Sequence, residues 1–127
     1  MIINGDLIIE KTGKTLKDIR FEEYSTTEQR VGTWINGKPI YRKVVQRVPF
    51  ASSINQVQIG VNTIEEVVNM YGSLNNRPIN YRYTDSTAYY IMCYVDTINS
   101  NKVFVTSCYS GYAGYANIVI EYTKTTD

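Results

Sequence analysis

The chain has 127 residues, a length at which one domain is expected and a core can be buried without metal or disulfide support. A net charge of +1 argues against a nucleic-acid binder that relies on a basic field, and no apolar run reaches the roughly 18 residues of a membrane span. The absence of histidine excludes His-activated nucleophiles, His-ligated zinc and histidine general bases.

The first 20 residues carry a turn at Asn4–Asp6, a short apolar run and then a polar stretch. They are predicted to be extended, with weak helical character at Leu16–Ile19, and are either an edge strand or the lead-in from a larger assembly. We therefore divide the chain into a lead-in segment, 1–20, and a β-rich domain, 21–127.

A β-hairpin is predicted where the runs Arg30–Ile35 and Ile40–Val48 flank Asn36 and Gly37. Asn-Gly is the strongest short hairpin signal, because a type I′ turn needs positive φ at both central residues. Pro39 follows the turn, so the second arm must begin where no ladder N–H is needed. Side chains along that arm are expected to alternate strictly between the two faces of the sheet.

The stretch Thr63–Tyr71 is ambiguous, because its apolar residues have helical spacing while its valines are β-branched. We predict a strand there, with a helix as the alternative. Turn residues separate the other predicted strands at regular intervals. This pattern indicates an all-β sandwich or jelly-roll-like domain of about eight to nine short strands. The strands are Gln56–Val61, Ile79–Tyr83, Ala88–Thr97, Lys102–Ser110 and Asn117–Thr125, and the loops are Gly72–Pro78 and Gly111–Ala116.

The two cysteines can be placed by counting. If Ser100 and Asn101 form a two-residue turn, Cys93 and Cys108 face each other directly across the ladder. Such cross-strand disulfides are strained, so we predict neighbouring but reduced thiols.

Aromatic side chains supply the candidate ligand-binding residues, because the chain has twelve Tyr and only three Phe. Tyrosine buries a ring while its hydroxyl remains in water. The repeat at Gly111–Ala116 either presents tyrosines to a sugar or packs them back onto the sheet, and the single Trp is either a stacking platform or core filler. The candidates are Trp34, Tyr41, Tyr112 and Tyr115.

Carboxylate pairs occur at Glu22–Glu23 and Glu65–Glu66. Glycoside hydrolysis needs two carboxylates across a sugar, but adjacent strand residues point to opposite faces, so neither pair forms such a dyad alone. No calcium-loop pattern is present around Asp85 or Asp96. We therefore predict no catalytic residues, no metal ligands and no cofactor.

Two motifs resemble segments that recur in bacteriophage tail-fibre and related virion appendage proteins. They are YSTTEQRVGTWINGKPIYRKVV at Tyr24–Val45 and IVIEYTKTTD at Ile118–Asp127. The segment Pro78–Tyr81 is also in keeping with the family. Fibre proteins usually carry a long shaft or an anchoring domain before such a module, whereas only about 20 residues precede it here.

The resemblance implies a non-enzymatic virion domain, made in the bacterial host cytoplasm, whose partners are other virion proteins and a host-surface glycan or receptor. One alternative is a purely structural trimerisation or capping domain, and another is a carboxylate glycosidase acting on surface polysaccharide. A homotrimer is expected, because both faces of Ala88–Thr97 carry apolar side chains and a second apolar face needs a cover. No nucleic-acid partner and no membrane insertion are expected.

Overall fold

Strands make up most of the computed structural model, which describes residues 2–3, 6–9, 14–15, 23–61, 63–83, 88–96 and 103–127. A 3₁₀ turn lies at Ser110–Tyr112. The described residues contain no helix that is long and apolar enough to cross a membrane. The strands are β1 Ile2–Ile3, β2 Asp6–Ile9, β3 Lys14–Thr15, β4 Gln29–Thr33, β5 Pro39–Phe50, β6 Asn55–Gln58, β7 Ile64–Leu74, β8 Arg77–Pro78, β9 Tyr81–Arg82, β10 Tyr90–Asp96, β11 Val103–Cys108 and β12 Gly114–Lys124.

Two antiparallel sheets form the domain, and the predicted all-β fold is confirmed. Their strand orders are β4-β5-β12-β7-β8 and β6-β11-β10-β9, while β1, β2 and β3 pair among themselves. Side chains from both sheets share one core, as in a sandwich. Its buried members are Val48, Phe50, Ile59, Ile64, Leu74, Ile79, Ile91, Cys93, Phe104, Cys108, Ala116, Ile118, Ile120 and Tyr122. The predicted helical character at Leu16–Ile19 falls outside the described residues, and the division at residue 20 stays a prediction.

The β4–β5 hairpin forms as predicted, but its turn differs. The Trp34 N–H donates to the Lys38 carbonyl (2.8 Å) and the Gly37 N–H to the Trp34 carbonyl (2.9 Å), which closes a three-residue loop. Only Gly37 has positive φ (86°), because the Asn36 side chain instead accepts a hydrogen bond from the Lys38 N–H (3.0 Å). The predicted type I′ turn is therefore wrong here.

Replacement of Gly37 by valine is expected to destabilise the domain by about 1–3 kcal/mol, because a β-branched residue resists positive φ. Gly32→Val is the matched control, since a Cβ at Gly32 meets nothing within 4 Å and φ there is not positive. Urea unfolding of both variants measures the difference. Equal stability of the two would contradict the assignment of the strained conformation to Gly37.

A β-bulge interrupts the predicted alternation along β5. Val48 pairs with Ala116 and Val45 with Ile118, so β5 has one residue more than β12 between these pairs. Arg47 sits in the bulge with φ of 55°. Val45 and Val48 therefore both contact the core, whereas alternation would place them on opposite faces.

The ambiguous stretch is strand β7, and the helical alternative is wrong. Strand β7 pairs with β12 along most of its length, from Ile64 opposite Lys124 to Ser73 opposite Asn117. Strand β7 extends to Leu74, inside the predicted loop Gly72–Pro78. The chain then turns at Asn75 and Asn76, both with positive φ (48° and 60°), as a type I′ turn requires. Tertiary pairing outweighs the local helical spacing, because β7 forms a long antiparallel ladder with β12.

The cysteines are not opposite each other. Cys93 pairs with Thr106 and Cys108 with Ile91, so the register of β10 against β11 differs by two residues from the predicted one. The predicted turn at Ser100 and Asn101 lies outside the described residues. Both cysteines are buried and free, and burial raises the pKa of Cys93 to about 12. Strand β12 begins at Gly114, so half of the predicted loop Gly111–Ala116 is strand.

Candidate functional site

The four predicted ligand-binding residues lie at the two ends of β12 and do not form one site. Tyr41 pairs with Tyr122 near the C-terminal end of the strand. Tyr115 lies seven residues earlier on the same strand, about 24 Å away. Trp34 belongs to the Tyr41 end, and Tyr112 immediately precedes β12 at the other.

Trp34 holds the β4–β5 turn against the start of β7. Its indole N–H donates to Glu66 Oε2 (3.2 Å). Beside it, Lys38 Nζ contacts Glu65 Oε2 (2.5 Å) and the carbonyl of Lys124 (3.2 Å). Glu65 and Glu66 therefore each bind a side chain of the turn, and the half-buried Trp34 stabilises the fold.

Tyr41 belongs to a polar network at the same end. Its ring lies 6.2 Å from that of Tyr122, with Lys124 Nζ 4.3 Å from its centroid. Glu28 accepts hydrogen bonds from Tyr122 and Lys124. Partial burial alone would raise the pKa of Glu28, but the bonds from Lys124 and Tyr122 outweigh it and hold the pKa below its usual range. This network joins β4 to β12.

Tyr115 stands apart from Tyr112. It points away from the core, is 62% exposed, and has the Arg47 guanidinium 4.6 Å from its ring centroid. Tyr112 is half-buried and packs against the core. The repeat that contains both tyrosines therefore presents them to different surroundings.

A continuous row of five tyrosine rings, hereafter the tyrosine run, includes Tyr112. Neighbouring centroids are 4.6–6.2 Å apart, the spacing of edge-to-face and tilted aromatic pairs. Two neighbouring members at one end of the run, Tyr83 and Tyr89, are 55% and 41% exposed. In spatial order the run is Tyr83, Tyr89, Tyr109, Tyr112 and Tyr81.

Arg77 caps one end of the tyrosine run. Its guanidinium carbon lies 4.6 Å from the Tyr112 centroid and 5.7 Å from that of Tyr81. Arg77 follows the type I′ turn, and Asn75 Nδ2 of that turn donates to the Tyr112 carbonyl (3.1 Å). The turn thereby ties the edge of the five-stranded sheet to the tyrosine run.

A groove of about 220 Å³ lies along β9 and β10, beside the tyrosine run. Asn80 Oδ1 accepts the Cys93 N–H (2.9 Å) where β9 begins, and the hydroxyl of Tyr90 lies 3.1 Å from that of Ser107. These bonds fix two side chains of the groove before any ligand arrives. The groove is lined by Asn80, Tyr81, Arg82, Tyr90, Ile91 and Met92.

Sequence reasoning missed most of this surface. Of the tyrosine run it singled out only Tyr112, and it did not consider Arg77. The abundance of Tyr was a signal for an aromatic surface, but the members come from three separate segments, 81–83, 89 and 109–112, which meet only through tertiary structure.

The described residues hold no group of three or more His, Cys, Asp or Glu side chains placed to bind a metal ion. Comparisons with protein-family models, with curated proteins and with solved structures found no match. The resemblance to phage appendage proteins therefore rests on the two sequence motifs alone.

Proposed function

We propose that this protein is a non-enzymatic binding domain that recognises a saccharide of a cell surface through the tyrosine run and the adjacent groove. The observation that carries the proposal is the run itself, five rings each in contact with its neighbour, of which the two at one end, Tyr83 and Tyr89, are exposed. Given the sequence resemblance, we place such a domain in a phage tail fibre or appendage.

The chemistry of the surface suits sugars. A pyranose presents a C–H face that packs on an aromatic ring, and hydroxyls that need polar partners at its rim. Tyrosine supplies a rigid ring and a hydroxyl at low entropic cost. The groove adds mostly apolar walls with a few polar groups, the usual composition of a small-ligand site, and its volume suits one sugar ring.

Replacing Tyr89 by alanine is expected to weaken saccharide binding at least about fivefold, because it removes an exposed ring that contacts both Tyr83 and Tyr109. Tyr89→Phe keeps the ring and should retain most of the affinity. Tyr115→Ala, which removes an exposed tyrosine elsewhere, is the matched control. A glycan array followed by calorimetry on the best ligand measures all three, and an equal loss for Tyr89→Ala and Tyr115→Ala would contradict the proposed site.

A second proposal, self-assembly, rests on the outer face of the four-stranded sheet. Met92 and Tyr94 point away from the core and are 46% and 48% exposed. The inner face of β10 already packs in the core through Ile91 and Cys93. The virion resemblance favours a homotrimer that covers Met92 and Tyr94. Because Met92 also lines the groove, this assembly and saccharide binding in the groove would compete for that part of the surface.

Light scattering at micromolar concentration is expected to give three times the 14.6 kDa chain mass. The double substitution Met92→Lys with Tyr94→Lys should reduce the mass to that of one chain, because it places two charges in the proposed interface. A single-chain mass for the unmodified protein would refute the trimer and leave the saccharide proposal intact.

A further inference from the structure

We infer that the saccharide is acidic and that its carboxylate binds Arg77. This inference rests on the proposed function, since it names the class of ligand for the same site. Arg77 is half-buried at the end of the tyrosine run, where a sugar lying along the rings would bring its substituents.

The contact with the two rings leaves N–H groups of the Arg77 guanidinium available to a ligand. A guanidinium over an aromatic face keeps its N–H groups in the plane, directed past the ring edge. With Tyr112 and Tyr81 holding Arg77 on the ring side, these N–H groups are the donors available to a ligand. Their fork matches the two oxygens of a carboxylate.

Another arginine of the same protein combines such a ring contact with a carboxylate. The Arg42 guanidinium lies 4.2 Å from the centroid of Tyr24, and its Nη1 is 3.9 Å from Glu121 Oε2. Arg77 has the same arginine–tyrosine arrangement but forms no ion pair with any residue that the structure describes. An external carboxylate would take the place that Glu121 holds beside Arg42.

The described acidic side chains lie elsewhere in the sandwich. Glu65 binds Lys38, and Glu28 binds Lys124, both at the far end of β12. The described charged groups at this end of the run are cationic, namely Arg77 on the rings of Tyr112 and Tyr81 and Arg82 in the lining of the groove, so the local field favours an anion.

The position of Arg77 is set before ligand binding. It pairs with Leu74 across the type I′ turn, and Leu74 is fully buried. Asn75 of the turn also holds the Tyr112 backbone (3.1 Å). An anchored guanidinium loses little freedom on binding, so its hydrogen bonds contribute more fully to affinity.

The test compares polymers that differ in charge and acid group. The full chain is titrated with polygalacturonate, its methyl-esterified neutral form, polysialic acid and dextran sulfate. Arg77→Gln removes the fork, and Arg77→Lys keeps only the charge. Arg30→Gln is the matched control, since Arg30 is an exposed arginine of β4 near the other end of the sandwich. Thermal unfolding verifies that each variant is folded.

We expect at least one carboxylate polymer to bind more tightly than both the neutral ester and dextran sulfate. Arg77→Gln should lose about tenfold to hundredfold in affinity for that polymer only, with Arg77→Lys between, while Arg30→Gln stays near the unmodified protein. Equal binding of acid and neutral forms, tighter binding of dextran sulfate, or an equal loss in Arg30→Gln would overturn the inference. Failure to bind any polymer or array glycan would instead overturn the proposed function.

Discussion

Replacement of Gly72 by alanine is expected to destabilise the domain by about 3 kcal/mol, at the upper end of what overpacking usually costs. A Cβ at Gly72 would lie 2.1 Å from the Asn117 carbonyl oxygen and 3.1 Å from the Ile118 Cα. Both are backbone atoms of the neighbouring strand, so no side-chain rotation relieves the contact. Strands β7 and β12 would have to separate in the middle of the five-stranded sheet.

Gly32→Ala is the control for this prediction. A Cβ at Gly32 meets nothing within 4 Å, so alanine should leave the stability unchanged or raise it by about 0.5 kcal/mol through the unfolded state. Denaturant titration followed by circular dichroism gives both free energies of unfolding. If Gly72→Ala were as stable as Gly32→Ala, the close approach of β7 to β12 would be wrong.

Replacement of Ile120 by alanine is expected to cost about 3 kcal/mol, because it opens a cavity in the shared core. Ile120 is 1% exposed and lies in β12 between Lys43 of β5 and Met70 of β7. The strands on both sides are held in register by their ladders, which limits how far the core can collapse into the space. A stable domain has only about 5–15 kcal/mol in total, so this loss is large.

Ile35→Ala makes the same chemical change at a residue that is 92% exposed in the β4–β5 turn. Its free energy of unfolding should differ from that of the unmodified protein by no more than about 0.5 kcal/mol. The same denaturant titration measures both variants. A loss at Ile35 equal to that at Ile120 would show that the turn is buried against another subunit, and a negligible loss at Ile120 would contradict the core described here.

The amino-acid sequence alone determined the class of fold and most of the strands. Period-two alternation and β-branched residues act within a few positions, so they indicate a strand without knowledge of its neighbours. The β4–β5 hairpin was predictable for the same reason, because Asn36, Gly37 and Pro39 restrict the backbone locally. The strand at Thr63–Tyr71 was predicted only against a helical alternative, since its local signals conflict.

Only the tertiary structure decided registers and the composition of the candidate site. The separation of Cys93 from Cys108 depends on the register of β10 against β11, and one residue of slip changes every pair. The bulge at Arg47 adds a residue that no alternation pattern reveals. Tyr89, Tyr109 and Tyr112 meet, and Arg77 reaches them, because strand pairing and the turn at Asn75 bring distant segments to one edge of the sandwich. Contacts of this kind depend on which strands become neighbours, and a single sequence carries that information only through the packing of the whole core.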